Sequence, residues 1–504
     1  MQPSADAISP KAEAEMRRTR KLLGWSLFLH LLAAFCSYGF QNSDEHFQIL
    51  EFLNYRLGLG PGEWTDLPVE YPRQLRHWFQ PMLYAGPILF LRAIGIDSPF
   101  TWALSARLMT GLIGWASLVA LARCLPRWFV AERSRTTALA CLCLIWFMPA
   151  LHARHSSESL SASLMALAVA AAVFAGDGRA RLAVLSGWLA GLAFAARFGV
   201  AFMVLAVGLW FLFPLDRSGR LAMGAFRARF RLFSAYALGG AISVVMMLIL
   251  DRWGYGQWTY PAWNYYAYHA HEGHAVLAGV SPWWDYFRRV WTEAWPVLTF
   301  AALVASMMSW VIFPFHLLSW VTAFFFLGHM GFGHKEMRFL YPMGPFVAIQ
   351  CAMVYLWARD HAGNARFGGH LLRGLVRGLV WGLVGFNFLS LVLMSVAPAW
   401  APIRFYEAVW ERRSEIQTLH VRDRDPYLIL GIAMNFYRPR ELQVTQQAGV
   451  GQYWFAHNES LHGATEEACV EVARTLPRWV PREGGNNWTL YRCKGAVTPP
   501  SVRE

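Results

Sequence analysis

About a dozen apolar segments, each near the length that crosses a bilayer as a helix, run through most of this 504-residue chain. They fall at 22–40, 81–97, 102–123, 137–151, 159–175, 181–196, 198–214, 233–250, 295–313, 315–332, 339–357 and 373–397. Composition agrees: 56% of residues are hydrophobic and only 15% charged, where a soluble domain is about a quarter charged. A single soluble domain and a disordered chain are both set aside. The expectation is an all-α polytopic membrane protein.

Three polar or amphipathic stretches interrupt the apolar ones, at 41–80, 251–294 and 398–504. The net charge of +13 does not argue for nucleic acid. Its Arg residues cluster in short loops between apolar segments, and cytoplasmic loops carry such an excess. Arg17, Arg18, Arg20 and Lys21 put residues 1–21 in the cytoplasm. Arg217, Arg220, Arg227, Arg229 and Arg231 mark a second cytoplasmic loop, and Arg359, Arg366, Arg373 and Arg377 a third. The stretches 41–80 and 251–294, the turn at His334–Phe339 and the tail then face outside. An odd number of crossings follows, about 11 with 13 as the next value, and 81–97 is the segment that need not cross fully.

Expected domains are the cytoplasmic residues 1–21, a transmembrane region 22–397 and an extracytoplasmic domain 398–504. Short alternating runs at Tyr427–Met434, Glu441–Thr445, Tyr453–His457 and Trp488–Arg492 make the tail a small β-rich or α+β domain, read as an appendage to the chemistry. Asn458 and Asn487 open sequons. Cys469 and Cys493 can form a disulfide if the tail lies in an oxidising compartment. The other five cysteines sit in or beside apolar segments as small hydrophobes.

Ionisable residues gather in three outward-facing places. Asp44 and Glu45 follow the first span directly, and Phe47, Leu50, Leu53 and Leu57 are spaced as one face of an amphipathic helix over 44–57. Such a helix lies along the bilayer surface, holding both carboxylates where a lipid phosphate would sit; Glu70, Arg73, Arg76 and His77 follow. His334, Lys335 and Arg338 supply up to three cations at a span start, suited to a phosphate leaving group. Snorkelling anchors are the plainer reading of Lys335 and Arg338. Arg154, His155, Ser156, Ser157 and Glu158 form the third cluster, in which a serine helix cap is the plainer reading. Arg107 and Arg197 interrupt apolar surroundings. The aromatics of 251–294, such as Trp263, Trp283 and Trp284, suit sugar stacking or an interfacial belt, and the His residues there are not spaced as a zinc site.

In sequence order these residues carry a family resemblance. Ser43-Asp44-Glu45-His46-Phe47-Gln48-Ile49-Leu50-Glu51 resembles the Asp-Glu-x-Phe-Gln-x-x-Glu signature of glycosyltransferase family 22. Glu70-Tyr71-Pro72 with Arg76-His77-Trp78 and Pro81 resembles its next segment, with His77 in place of a Ser. Arg154–Leu160 resembles its Arg-x-x-Ser-(Asn/Glu)-x-Leu. Asp251-Arg252-Trp253-Gly254-Tyr255-Gly256 with Trp263-Asn264-Tyr265 resembles its second loop, with Gly254 where an aromatic is common. His334-Lys335-Glu336-Met337-Arg338-Phe339 is very close to its His-Lys-Glu-x-Arg-Phe.

The resemblance implies a GT-C fold and an integral-membrane hexosyltransferase, most closely a mannosyltransferase. It would take a polyprenyl-phosphate sugar as donor and a glycan or glycolipid as acceptor, on the extracytoplasmic face and with inversion. It assigns Asp44, with Glu45 second, as general base. Gln48, Glu70, Arg76, His77, Arg154, Glu158, His334, Lys335 and Arg338 then bind substrate, with Lys335, Arg338 and Arg76 on the donor phosphate. No metal and no cofactor are expected, and the partners are lipids and sugars rather than nucleic acid. The Arg bias favours a bacterial inner membrane with a periplasmic active site, and an endoplasmic reticulum membrane with a luminal one is the alternative. A transporter or flippase of lipid-linked sugars is the rival function.

Overall fold

The computed structural model describes residues 10–213, 226–274, 279–293, 295–362, 370–421, 424–446, 452–457, 469–477 and 486–494. Arg217, Arg220 and Arg366 of the expected cytoplasmic loops, and the Asn458 sequon, lie outside the described residues. Two compact units emerge.

The first unit draws on Met1–Ala34, His77–Phe79 and Arg107–Val396 and is helical. Ser157–Ala175 is the most enclosed of the helices long and apolar enough to cross a membrane among the described residues. Its Ser159, Ala162, Ser163 and Ala166 side chains have no exposure at all. Small residues let neighbouring helices approach closely and lend hydroxyls to their carbonyls. Ser186 of the Ala180–Ala196 helix donates to Ala168 C=O at 2.8 Å. Ala180–Ala196 packs on Phe226–Tyr255 so tightly that a Cβ at Gly187 would stand 1.8 Å from Tyr236 O, and one at Gly239 2.0 Å from Val184 O.

The expected span 137–151 is broken. Glu132–Leu144 ends at Ile145, and Met148–His152 resumes with Pro149. A break inside an apolar region orphans backbone groups, and these must find partners. Asn387 supplies them: its Oδ1 accepts from Trp146 N–H at 3.0 Å and its Nδ2 donates to Leu144 C=O at 2.8 Å. Arg107 turns out to be a helix tie, its Nε donating to Ala34 C=O at 2.9 Å.

Among the described residues five helices are long and apolar enough to cross a membrane: Pro99–Trp128, Ser157–Ala175, Phe226–Tyr255, Met337–His361 and Arg377–Val396. Four shorter apolar helices accompany them, Ala180–Ala196, Phe198–Leu212, Pro296–Ile312 and Leu317–Met330. The figure of about 11 rests on charge counting, not on helix length. Phe79–Ala93, over the segment that need not cross, has 15 residues, short of the ~20 a span requires.

The second unit joins Phe35–Arg76 and Gln80–Ala106 to the tail from Ala397 onward. Its five-stranded sheet uses β1 (Thr418–Val421), β4 (Gln443–Thr445), β5 (Tyr453–His457), β6 (Cys469–Arg474) and β7 (Trp488–Cys493) in the order β4-β1-β5-β7-β6. The β1 pairings are parallel and those of β7 antiparallel. Cys469 faces Cys493 across β6 and β7, and the two are disulfide-bonded. The run Tyr427–Met434 is no single strand: β2 (Leu428–Ile429) and β3 (Ile432–Ala433) fold back at Leu430 and Gly431, whose φ values of 51° and 80° suit a tight hairpin. Phe405, Tyr406, Phe455 and Trp488 meet edge-on beneath the sheet as the centre of this core.

The tail is no appendage within this unit. Asn435 donates to Asp66 at 3.0 Å, Arg440 to Gly58 C=O at 2.7 Å and Phe436 N–H to Glu51 at 2.9 Å. Residues nearly four hundred positions apart thus hold the 41–80 stretch in place.

Candidate active site

In the second unit the acidic signature forms two short helices, Asp44–Phe47 and Leu50–Leu57, with a break at Gln48 and Ile49. Leu50, Glu51, Phe52, Leu53 and Asn54 are all buried. That corrects the expectation of one amphipathic helix lying on the bilayer surface. The spacing of the apolar residues is the same, but the polar face is covered too, because it carries its own partners. His46 meets Glu51 Oε1 at 2.8 Å, and the same oxygen accepts the Phe436 N–H. Tyr437 stacks on the His46 ring with centroids 5.3 Å apart. Glu51 was legible as the second Glu of the signature, yet sequence reasoning gave it no role.

Asp44 and Glu45 are distinguished by their surroundings. Glu45 is 5% exposed and accepts from Gln41 N–H at 3.4 Å, whereas Asp44 is half-buried. Gln48 Nε2 donates to Glu70 at 2.8 Å. Burial pushes the Glu70 carboxyl above its usual range; Asp44's charge adds to this, while Arg76 and the Gln48 bond oppose it. Asp44, Gln48, Glu70 and Arg76 therefore form one electrostatic neighbourhood.

A pH test follows from that balance. If Glu70 acts as an anion, the acid limb of turnover lies above the ordinary carboxylate range. Arg76→Gln removes the largest influence holding the carboxyl down, so the limb moves to higher pH. A pH–rate profile of both proteins reads the shift, and an unmoved or lowered limb contradicts it.

In the first unit His77 and Asp251 meet. His77 Nδ1–H donates to Asp251 Oδ2 at 2.6 Å, and Trp78 N–H to Oδ1 at 2.8 Å. The His77 and Asp251 side chains are 1% and 0% exposed. A single carboxylate so positions a histidine and the backbone beside it. The departure at Gly254 has a cause here: a Cβ would come within 2.1 Å of the Trp78 indole. Asp251 lay in a recognised motif, but nothing in the sequence paired it with His77.

The cationic motif lies in the same unit. Glu158, near the start of the Ser157–Ala175 helix, takes Arg197 at 2.8 Å and Arg338 at 3.4 Å on the same oxygen. Arg338 Nε also reaches Glu336 at 2.6 Å, and His334 Nε2 meets Glu336 at 3.0 Å. The result is an alternating chain Arg197–Glu158–Arg338–Glu336–His334. Burial pushes Glu336 up, but the bonds and charges of Arg338 and His334 outweigh it and bring its carboxyl down to about 2. Arg197 and Arg338 also lie over the Phe339 ring, 4.7 and 5.4 Å from its centroid.

Lys335 faces the other way. It is 1% exposed, and its ammonium donates to the carbonyls of Phe332 and, at 3.3 Å, Ser281. Burial lowers its pKa, with the Asp285 charge acting against that. Asp285 is itself brought to about 2, first by the hydrogen bond from Arg288 and further by Arg289. Lys335 is thus a tie between the motif and the 251–294 stretch. Arg154 is 2% exposed, in the turn that ends where Ser156 caps the following helix by accepting from Ser159 N–H at 3.1 Å. The serine cap of the plainer reading is present at Ser156, two residues before the ion-paired Glu158. Trp263, Trp283 and Trp284 stay largely exposed. Among the described residues no three His, Cys, Asp or Glu side chains group as metal ligands.

A helical membrane scaffold with a mixed-sheet tail, bearing clustered carboxylates and an Arg–carboxylate chain at helix ends, defines a class of membrane protein rather than a single one. Residues 23–439 match the sequence profile of the Alg9-like mannosyltransferase family, and the chain belongs to that family. It is 26% identical over 341 residues to Mannosyltransferase APTG1 of Arabidopsis thaliana, covering 66% of this chain but 57% of that protein, little more than half its length. The crystal structure of ArnT from Cupriavidus metallidurans bound to undecaprenyl phosphate is similar with a TM-score of 0.56 at 11% identity, over 94% of this chain and 97% of that one. At that identity the likeness speaks for the fold alone, the expected GT-C fold.

Proposed function

We propose that this protein transfers a hexose, most closely mannose, from a polyprenyl-phosphate sugar to a glycan or glycolipid acceptor with inversion at the anomeric carbon. The observation that carries the reading is the family match over 23–439, which includes both the acidic and the cationic signature in order. The similarity to a protein named a mannosyltransferase, and to a GT-C structure holding undecaprenyl phosphate, supports sugar and donor class. The disulfide between Cys469 and Cys493 supports an oxidising, extracytoplasmic setting for the tail.

In this mechanism Asp44 takes the proton of the acceptor hydroxyl as its oxygen attacks C1 of the sugar. The C1–O bond to phosphate breaks, and the electron pair leaves on polyprenyl phosphate. Asp44 is preferred to Glu45 because Glu45 is buried and accepts the Gln41 N–H. Glu70, with Gln48, orients the acceptor. Arg338 and Arg76 take the phosphate charge, with His334 as a hydrogen-bond donor. Lys335, bound to two carbonyls, positions the motif instead of gripping the phosphate. His77, held by Asp251, and Arg154 shape the substrate surroundings, and Glu158 sets the Arg338 side chain.

The phosphate leaves with its charge already carried, so guanidinium groups replace a divalent ion. Transfer from polyprenyl-phosphate mannose in detergent is expected to be undiminished by excess EDTA. Turnover that falls with EDTA and returns with a divalent cation would refute this part of the mechanism.

A further inference from the structure

The first unit has a cavity of about 340 Å³ that no step of the proposed reaction uses. Three elements build it: the Pro10–Cys36 helix through Glu15, Thr19 and Leu23, the end of Pro99–Trp128 through Arg123, and the start of Glu132–Leu144 through Arg135 and Leu139. Its size is that of small-ligand sites, which hold apolar walls and a few placed polar groups.

The charges at its rim are unequal. Arg135 is committed to Glu15 by two bonds of 2.7 and 2.8 Å, so these two cancel. Arg123 is exposed and has no hydrogen bond or ion pair among the described residues. One positive charge is therefore left over in a lining that also holds Thr19 and the apolar Leu23 and Leu139.

The level of the cavity is fixed by sequence. All three helices change there from charged to apolar: after Lys21 in the first, at Arg123 in the second, and after Arg135 in the third. Such a change marks the lipid headgroup region, where Arg anchors collect. A cavity there with one surplus cation and an apolar floor fits a phosphodiester whose acyl chain continues along the floor. Basic pockets between membrane helices bind anionic headgroups in this way.

We propose that this cavity binds the headgroup of an anionic phospholipid, with Arg123 on the phosphodiester and Leu23 and Leu139 against the first part of an acyl chain. The site is distinct from the residues of the proposed reaction, and it holds whether or not that reaction is the correct one.

Native mass spectrometry of the purified full chain, titrated with phosphatidylglycerol or phosphatidylcholine, tests this. Phosphatidylglycerol is expected to bind in preference, and Arg123→Gln to reduce that preference about fivefold, the weight of one cation at an anionic lipid surface. Arg123→Lys keeps most of it, and millimolar inorganic phosphate does not displace the lipid. The proposal is overturned if Arg123→Gln binds both lipids as the parent does, if the parent shows no preference, or if inorganic phosphate displaces the lipid and so reveals a free-anion site. Arg123→Gln should also keep the parent's thermal unfolding and transfer activity; loss of either makes Arg123 structural and likewise overturns it.

Discussion

Asp44→Asn is expected to stop sugar transfer while the lipid-phosphate donor still binds. Removing a general base costs about 10²–10⁴ in rate, and Asn keeps the shape of the side chain, so donor affinity should hold to within about threefold in a change confined to the transition state. Glu45 makes the control. Its oxygen accepts a backbone N–H from within the protein, so Glu45→Gln should lose thermal stability before it loses turnover. Single-turnover kinetics with labelled donor, beside equilibrium donor binding, separate the two effects. Near-parental turnover in Asp44→Asn moves the base to another residue, with Glu70 the next to test.

The second large effect is expected at Glu158. Its carboxylate, 2% exposed, is the shared partner of Arg197 and Arg338, themselves only 11% and 16% exposed. Breaking a buried ion pair by deleting one member leaves charge uncompensated and costs about 3–5 kcal/mol. Glu158→Ala should therefore lower the unfolding temperature in detergent by several degrees. Glu158→Gln, which keeps a hydrogen-bond acceptor, should do less harm. Arg338 would keep its bonds to Glu336, so donor binding in whatever protein remains folded should weaken less than in Arg338→Ala. Unfolding within a degree of the parent would mean that Glu158 does not hold the two arginines.

Much of this was written in the chain, and the omissions have physical causes. Apolar segments announced the helices because burial in lipid and burial in protein demand the same composition. For the same reason they did not announce the break at Ile145: Asn387, more than two hundred residues later, is what makes it tolerable. Periodicity marked Phe47, Leu50 and Leu53 as residues to bury, and they are buried, yet it could not show the break after Phe47 or that Phe436 and Tyr437 of the tail cover Glu51 and His46. The motif at His334–Phe339 was legible as a set of cations. That Lys335 turns inward while Arg338 sits between two carboxylates depends on Ser281 and Glu158, which only the fold supplies. Asp251 and His77 each stood in a recognised segment; a bond across 174 positions has no local signal.

The central claim is that the protein breaks a sugar–phosphate bond rather than moving an intact lipid-linked sugar. Purified protein in proteoliposomes, given polyprenyl-phosphate mannose labelled in the sugar and a glycolipid acceptor, decides between them. The label should appear in the acceptor as an α-linked residue, with one polyprenyl phosphate released per sugar transferred. Labelled donor that crosses the bilayer unbroken, with none in the acceptor, would contradict the account and make the protein a transporter.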